Sequence, residues 1–256
     1  MIIKRQGAFE TIEWIARQRK KIRLPVDLGR CLPTVGGEVM STNLSQEISC
    51  PSCGCSSTTR MWPGIDGVRN PEQRERILEE SLFCWECPDC GYRMQLVYPC
   101  LYHDRERRFL ILLDPNQKEQ SLDKKAMAEQ SLPQTKKRIV SSVEELKEKL
   151  LIFENGLNDA ACELSKLAMM QSVEHRRGVL PEKGYFSSVD TEANKITFVF
   201  FFEDEELEPL YQTTRYDVYR KALEIATSLH FNEYSDDFLR VDMEMARLML
   251  EEFQNR

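Results

Sequence analysis

Two short cysteine motifs constrain this 256-residue chain more than any other feature of its sequence. One is Cys50-Pro51-Ser52-Cys53-Gly54 and the other is Cys87-Pro88-Asp89-Cys90-Gly91, so both read Cys-Pro-x-Cys-Gly. In such a turn two thiolates can bind one tetrahedral ion, while the proline fixes one backbone angle and the glycine tolerates a positive φ. The pattern therefore predicts one complete metal site, with four ligands: Cys50, Cys53, Cys87 and Cys90.

The identity of the metal and the limits of the ligand set stay open at this point. We expect one Zn²⁺ per chain, because zinc suits four thiolates in a structural site. Iron is the alternative, because rubredoxin-like sites use the same paired motif and Cys84, Cys87 and Cys90 begin an iron–sulfur spacing. Cys55 or Cys84 could replace a neighbouring ligand, although the matched pairs already fill four positions. Free thiols and a redox dithiol are disfavoured by the doubled motif.

The residues around the motifs resemble those of the bacterial CpXC domain family. The likeness covers about Ile48 to Pro115, where a helical insert separates the motifs and Leu101-Tyr102-His103-Asp104 follows. A weaker likeness extends over the helical stretch from Val143 to Lys166. The family is named for its cysteine motif and has no assigned activity. The resemblance therefore implies zinc binding by Cys50, Cys53, Cys87 and Cys90, and it implies no reaction.

The composition is ordinary for a globular protein long enough to form two domains, with 41% hydrophobic and 30% charged residues. No apolar stretch approaches the roughly 18 residues that cross a bilayer, and the N-terminus lacks the apolar region of a signal peptide. We therefore expect a cytoplasmic protein without a membrane partner. The net charge of −7 opposes general attraction to nucleic acid, although a local basic patch could still bind it.

The fold class predicted for the chain is α+β, beginning with a zinc-ribbon-like β domain over residues 40–115. Asn70-Pro71 has the cap and first residue of a helix inserted between the motifs. Alternation from Met94 to Tyr98 and the apolar run from Phe109 to Leu113 each predict a strand. The residues from His103 to Glu106 would connect these two strands as a hairpin.

The remainder of the chain predicts a polar linker followed by a mostly helical α+β domain with a short β hairpin. The linker covers 116–138, where polar residues dominate, and the domain covers 139–256. Ile196 to Phe202 is the most strand-like run in the chain, and Tyr185-Phe186 is its expected partner.

Cap residues and apolar spacing predict the helices of this second domain. Ser142 with Glu145 forms a capping box, and a further helix starts at Asn158. Thr214 and Ser235 would cap the last two helices. The final helix is expected to bury one apolar face, which comprises Phe238, Val241, Met245, Leu248 and Phe253.

Residues 1–39 form an N-terminal extension that raises a separate hypothesis. The stretch Gly36-Gly37-Glu38-Val39-Met40 can be encoded with a purine-rich GGAGG segment ahead of a start codon, as found upstream of bacterial genes. We therefore expect that translation begins at Met40. A peptide from Ile12 to Arg17 in the mass spectrum of the native protein would refute this hypothesis.

Signatures of catalysis are few. The sequence has no phosphate-binding glycine loop, nucleophile elbow or His-Glu-x-x-His motif. His103, beside Asp104, is a weak catalytic candidate as a general base or open-site ligand, although a supporting hydrogen bond is the commoner role. Four thiolates leave zinc no open position for water, so the site reads as structural.

The predicted function is therefore that of a non-catalytic, zinc-binding interaction or scaffold protein with an unidentified protein partner. The alternatives are a nucleic-acid-binding zinc ribbon, an enzyme that uses His103 and a rubredoxin-like iron protein. The oligomeric state is left open.

Overall fold

The computed structural model describes residues 21–23, 34–35, 38–39, 42–116, 134–204 and 206–256. Over this part of the chain the protein is mixed α+β, which confirms the predicted class. Two units are distinguished: unit 1 comprises residues 1–147 with 236–238, and unit 2 comprises 148–235 with 239–256. The extension at 1–39 and the linker at 116–138 lie largely outside the described residues, so these predicted domain limits stay predictions.

Unit 1 is built mainly from β-strands. Its elements are β1 (Lys21–Arg23), β2 (Thr34–Val35), β3 (Glu38–Val39), β4 (Thr42–Ser49), β5 (Ser56–Asp66), α1 (Pro71–Leu78), β6 (Cys84–Glu86), β7 (Arg93–Val97), β8 (Cys100–Asp104), β9 (Phe109–Leu113) and β10 (Lys136–Val140). One sheet has the strand order β10-β9-β8-β5-β4, a second β1-β7-β6, and β2 pairs with β3. The first cysteine motif lies between antiparallel strands β4 and β5, and the second between antiparallel strands β6 and β7. Each motif is therefore the turn of a β-hairpin.

The core of unit 1 follows from the continuous apolar run of β9. Every residue from Phe109 to Leu113 is buried, as is every residue of β8. β9 lies between antiparallel β8 and parallel β10, so it is a central strand covered on both faces.

The predicted hairpin between the strands at 94–98 and 109–113 is wrong, because the second of these strands pairs with a different strand. β7 and β9 both exist, but Cys100–Asp104 forms β8, and it is β8 that pairs with β9. His103 is thus a strand residue, and the turn that follows contains Arg108 with a φ of 55°. The polar sequence His103-Asp104 is typical of a turn. It forms a buried strand here because β8 pairs with β5, which is distant in sequence.

Helix α1 begins at Pro71 as predicted, with Asn70 as its N-cap. The Asn70 side chain makes no capping hydrogen bond and instead donates to Glu72 Oε1. The Asn70 carbonyl accepts from the backbone N–H of Gln73. Burial of Ile77 fixes the inner face of the helix.

Unit 2 combines helices with a three-stranded antiparallel sheet of order β11-β12-β13. The division between the units falls inside α2. The elements from there on are α2 (Val143–Glu154), α3 (Asp159–Arg177), β11 (Lys183–Asp190), β12 (Lys195–Phe201), β13 (Leu210–Arg215), α4 (Asp217–Ser228) and α5 (Met243–Gln254). Tyr185 and Phe186 pair with Val199 and Phe198, which confirms the expected partner of the strongest strand. β13 extends the predicted hairpin to three strands.

Two of the four helix caps predicted for the second domain are confirmed. Ser142 Oγ accepts from the Glu145 backbone N–H at 3.2 Å, and Asn158 Oδ1 accepts from the Ala161 N–H at 2.9 Å. The prediction for Thr214 is wrong because this residue lies in β13, where a β-branched side chain also fits well.

The predicted start of the last helix is also wrong, and its predicted apolar face is only partly right, because Phe238 and Val241 are buried but precede the helix. Asp242, and not Ser235, caps α5 by accepting from the Met245 N–H at 3.0 Å. The helix buries Ala246 and Met249, whereas the expected core residues Leu248 and Phe253 are 61% and 42% exposed. The buried face contains the small residue Ala246, which the spacing of large apolar residues does not mark.

None of the helices in the described part of the chain is long and apolar enough to span a membrane.

Gly67 provides a test of the packing between β5 and β8. A Cβ at this position would overlap the phenol of Tyr102, which is fully buried. Gly67→Ala should therefore lower the free energy of unfolding of unit 1 by about 1–3 kcal/mol through overpacking. The measurement is urea unfolding followed by tryptophan fluorescence, since all three tryptophans lie in residues 1–147.

The matched control is Val68→Ala, because Val68 is the next residue and is 41% exposed. Equal unfolding midpoints for the two variants would contradict the packing described for Tyr102.

Candidate metal centre

The two cysteine motifs fold into turns, or knuckles, with the same backbone hydrogen bonds. In knuckle 1 (residues 50–55), the Cys50 N–H donates to the Cys55 carbonyl at 2.8 Å, and the Gly54 N–H donates to the Cys50 carbonyl at 2.9 Å. In knuckle 2 (residues 87–92), the Cys87 N–H donates to the Tyr92 carbonyl at 2.8 Å, and the Gly91 N–H donates to the Cys87 carbonyl at 3.0 Å. The shared sequence thus produces one turn geometry twice.

Glycine is required at the fifth position of each motif. Gly54 has a φ of 76° and Gly91 a φ of 70°, in the left-handed region that side chains with a Cβ rarely adopt. This conformation lets each turn close behind its second cysteine, which confirms the role predicted for the glycines.

The knuckles bring four sulfur atoms together. The Sγ atoms of Cys50, Cys53, Cys87 and Cys90 all lie within 4.8 Å of one another. Two cross-knuckle distances are shorter: Cys50 to Cys90 is 3.7 Å and Cys53 to Cys87 is 3.6 Å. Zinc–sulfur bonds of about 2.3 Å in a regular tetrahedron place the sulfurs about 3.8 Å apart. The cluster therefore has the size and donor chemistry to hold a metal ion.

The site has a buried side and an exposed side. The first cysteine of each knuckle, Cys50 or Cys87, is at most 3% exposed, whereas Cys53 and Cys90 are exposed. Burial disfavours ionisation of Cys50, but hydrogen bonds from the backbone N–H groups of Cys53 and Ser52 and from the Cys87 and Cys53 thiols together lower its pKa to about 7. The Ser52 N–H donates to Cys50 Sγ at 3.4 Å. Backbone donors thus favour the thiolate of Cys50. At Cys53 the backbone N–H of Cys55 also favours the thiolate, but burial and the three neighbouring cysteine side chains raise the pKa.

Cys55 and Cys84 lie outside the group of four sulfurs found in the described residues. Cys55 Sγ donates to the Ser56 carbonyl at 3.7 Å, and Cys84 Sγ donates to the Glu80 carbonyl at 3.1 Å. Burial raises the pKa of Cys84 to about 11, and the Glu80 carboxylate adds to the effect. Both thiols therefore contact backbone carbonyls beside the knuckles.

His103 does not belong to the sulfur cluster. It lies on β8 opposite Asp66 of β5, is 3% exposed, and its buried Nδ1 has no hydrogen-bond partner among the described residues. Desolvation lowers the His103 pKa to about 4; the Arg105 cation adds to the shift, and Asp66 and Asp104 oppose it. The imidazole is therefore neutral at neutral pH.

The model of one protein family, described as CpXC protein, matches residues 48–166. This match confirms the resemblance to the CpXC family, and residues 48–166 are the CpXC region of the chain. The CpXC region contains both knuckles and continues through α2 into α3, as the resemblance at the two stretches indicated. No curated protein and no solved structure matches the chain.

Acid should destabilise unit 1 through His103. In the unfolded chain His103 has its ordinary pKa near 6.5 and is protonated below that pH. In the folded protein its pKa is about 4, so it is protonated only in stronger acid. This contribution to stability is present above pH 6.5 and is lost as the pH falls from 6.5 towards 4. Between pH 7 and 5 the loss should be about 2 kcal/mol, measured by urea unfolding with tryptophan fluorescence.

The His103→Gln variant provides the control, because it keeps the polar side chain and removes the titration. Any acid effect on the cysteines is common to both proteins, so the difference between their pH slopes reports His103. Identical slopes would show that the imidazole does not stay neutral in the folded protein.

Proposed function

We propose that the CpXC region holds one zinc ion through Cys50, Cys53, Cys87 and Cys90, as the structural centre of a non-catalytic interaction or scaffold protein. The observation that carries the proposal is the convergence of these four Sγ atoms, within 4.8 Å of one another, at the turns of two β-hairpins. Two hairpins that present paired cysteines to one ion make a zinc-ribbon-like arrangement.

A structural role follows from the complete donor set. Four thiolates fill the tetrahedral coordination of zinc, so the ion has no open position at which to activate water or polarise a substrate. Bound there, the metal supplies charge neutralisation and a fixed link between the knuckles. Iron accepts the same donors, and zinc is proposed because it is the usual ion of closed sites made by four cysteine thiolates.

The exposed rim of the site favours a protein partner over nucleic acid. The two hairpins and their knuckles expose three carboxylates and two guanidinium groups: Glu47, Glu86, Asp89, Arg60 and Arg93. Arg93 is already paired with Glu86 at 2.6 Å. Zinc with four thiolates adds a formal charge of −2. A phosphate backbone needs a basic footprint, and these hairpins do not supply one.

Metal analysis of single-cysteine variants tests the proposal. The wild-type chain, purified untagged without added metal, should contain one zinc per chain by elemental mass spectrometry and show no visible absorption. Cys53→Ser and Cys90→Ser should lose the metal and unfold the hairpins, because such sites contribute on the order of 10 kcal/mol to folding.

Cys55→Ser and Cys84→Ser are matched controls, since each removes a thiol beside a knuckle and should keep the full zinc content. Retention of metal and fold by Cys53→Ser would disprove the ligand set. Iron with a red or brown chromophore would replace the structural proposal with electron transfer.

A further inference from the structure

Three consecutive charged residues of α2 are buried, which is unusual for a helix. Lys147, Glu148 and Lys149 are 6%, 3% and 2% exposed, within a stretch from Leu146 to Leu150 that is buried throughout. Successive helix residues point about 100° apart, so these side chains leave the helix in three directions. A helix that is buried all round depends on partners for each charge.

Lys147 has its partner in unit 1. Its Nζ lies 2.8 Å from Oε1 of Glu80, which is 3% exposed. Glu80 follows α1 in a left-handed conformation with a φ of 61°, and its carbonyl accepts from Cys84 Sγ at 3.1 Å. The pair therefore ties α2 to the segment that leads from α1 into β6 and knuckle 2.

Glu148 and Lys149 have their partners in unit 2. Glu148 Oε1 lies 2.8 Å from Lys166 Nζ and accepts from the Phe186 N–H at 2.6 Å, which links α2 to α3 and β11. Lys149 Nζ lies 3.1 Å from Glu163 and 3.4 Å from Asp159, both on α3. These groups are all buried, so α2 and α3 are joined by ion pairs that the solvent screens only weakly.

We propose that α2 couples the metal centre to unit 2, so that loss of the metal weakens the pairing of α2 with α3. The proposal rests on the proposed function, since it requires a metal that stabilises knuckle 2 and the Glu80 segment. When that segment unfolds, Lys147 loses its carboxylate and becomes an uncompensated buried charge, which is strongly destabilising. Helix formation is cooperative, so fraying at Lys147 reaches the adjacent turn with Glu148 and Lys149.

Hydrogen exchange of the full chain, measured by mass spectrometry with the metal bound and after chelation, tests this coupling. Chelation should speed exchange in peptides from knuckle 2 and also, by at least about fivefold, in peptides from α3. Exchange in α3 that stays unchanged while knuckle 2 loses protection would overturn the coupling and leave the metal site intact. A chain that binds no metal, with no response anywhere, would overturn the proposed function and the coupling together.

Variants of the buried Glu80–Lys147 pair test whether the coupling between the metal centre and α3 depends on this pair. Glu80→Leu combined with Lys147→Met replaces the pair with apolar groups, a change that folded proteins often tolerate, and should abolish the response of α3 while knuckle 2 still responds. Lys147→Arg keeps the pair and should keep the response. The matched control is Glu86→Gln with Arg93→Gln, which removes an exposed pair of the knuckle 2 hairpin and should leave the coupling unchanged. If α3 of the apolar double variant still responds fully to chelation, the coupling does not run through Glu80 and the proposed path is overturned. If that variant does not fold, the comparison of the wild-type chain with and without metal still tests the coupling.

Discussion

The meeting of four cysteine sulfurs is the interaction on which the arrangement of unit 1 depends. Knuckle 1 closes a hairpin of the five-stranded sheet and knuckle 2 closes a hairpin of the three-stranded sheet, so the cluster joins the turns of two sheets. Four thiolates at separations such as 3.6 and 3.7 Å repel one another in the absence of a cation. A bound metal converts that repulsion into bonds. Under the proposed function, metal binding and formation of the hairpin pair are one event, which is the reason for proposing a structural role.

Features decided within five or six residues could be predicted from the sequence. The Cys-Pro-x-Cys-Gly motif specifies its turn by itself, through the ring of proline, the positive φ of Gly54 and Gly91, and hydrogen bonds that close within each knuckle. The start of α1 at Pro71 and the cap at Asn158 are local in the same sense. Their physical causes act whatever the rest of the chain does, and so the repeat of the motif predicted the whole sulfur cluster.

Features decided by distant neighbours could not be predicted in this way. β8 carries the polar pair His103-Asp104, which reads as a turn, and it becomes a strand because β5 and β9 pair with it on either side. Thr214 has a side chain that suits both a helix cap and a strand. It lies in a strand because it pairs with Ile196 of β12. In α5 the apolar residues Leu248 and Phe253 marked the wrong face, because the buried side contains the small Ala246.

The buried charges of α2 show most clearly that contacts with distant residues cannot be predicted from the local sequence. These charges also carry the proposed coupling between the metal centre and α3. In the sequence, Lys147-Glu148-Lys149 has the composition of a solvated helix face, and nothing local distinguishes it from one. Its partners Glu80, Lys166 and Glu163 lie 67, 18 and 14 residues away, so only the tertiary fold reveals the pairing. Burying such groups is costly unless every charge is matched, and matched charges tolerate little displacement. A helix held by ion pairs in this way responds to the loss of one partner more sharply than a helix held by apolar contacts, which can repack. The match to the CpXC family extends through Lys166, so the region defined by its cysteines also contains the charges that tie α2 to the segment before knuckle 2 and to α3.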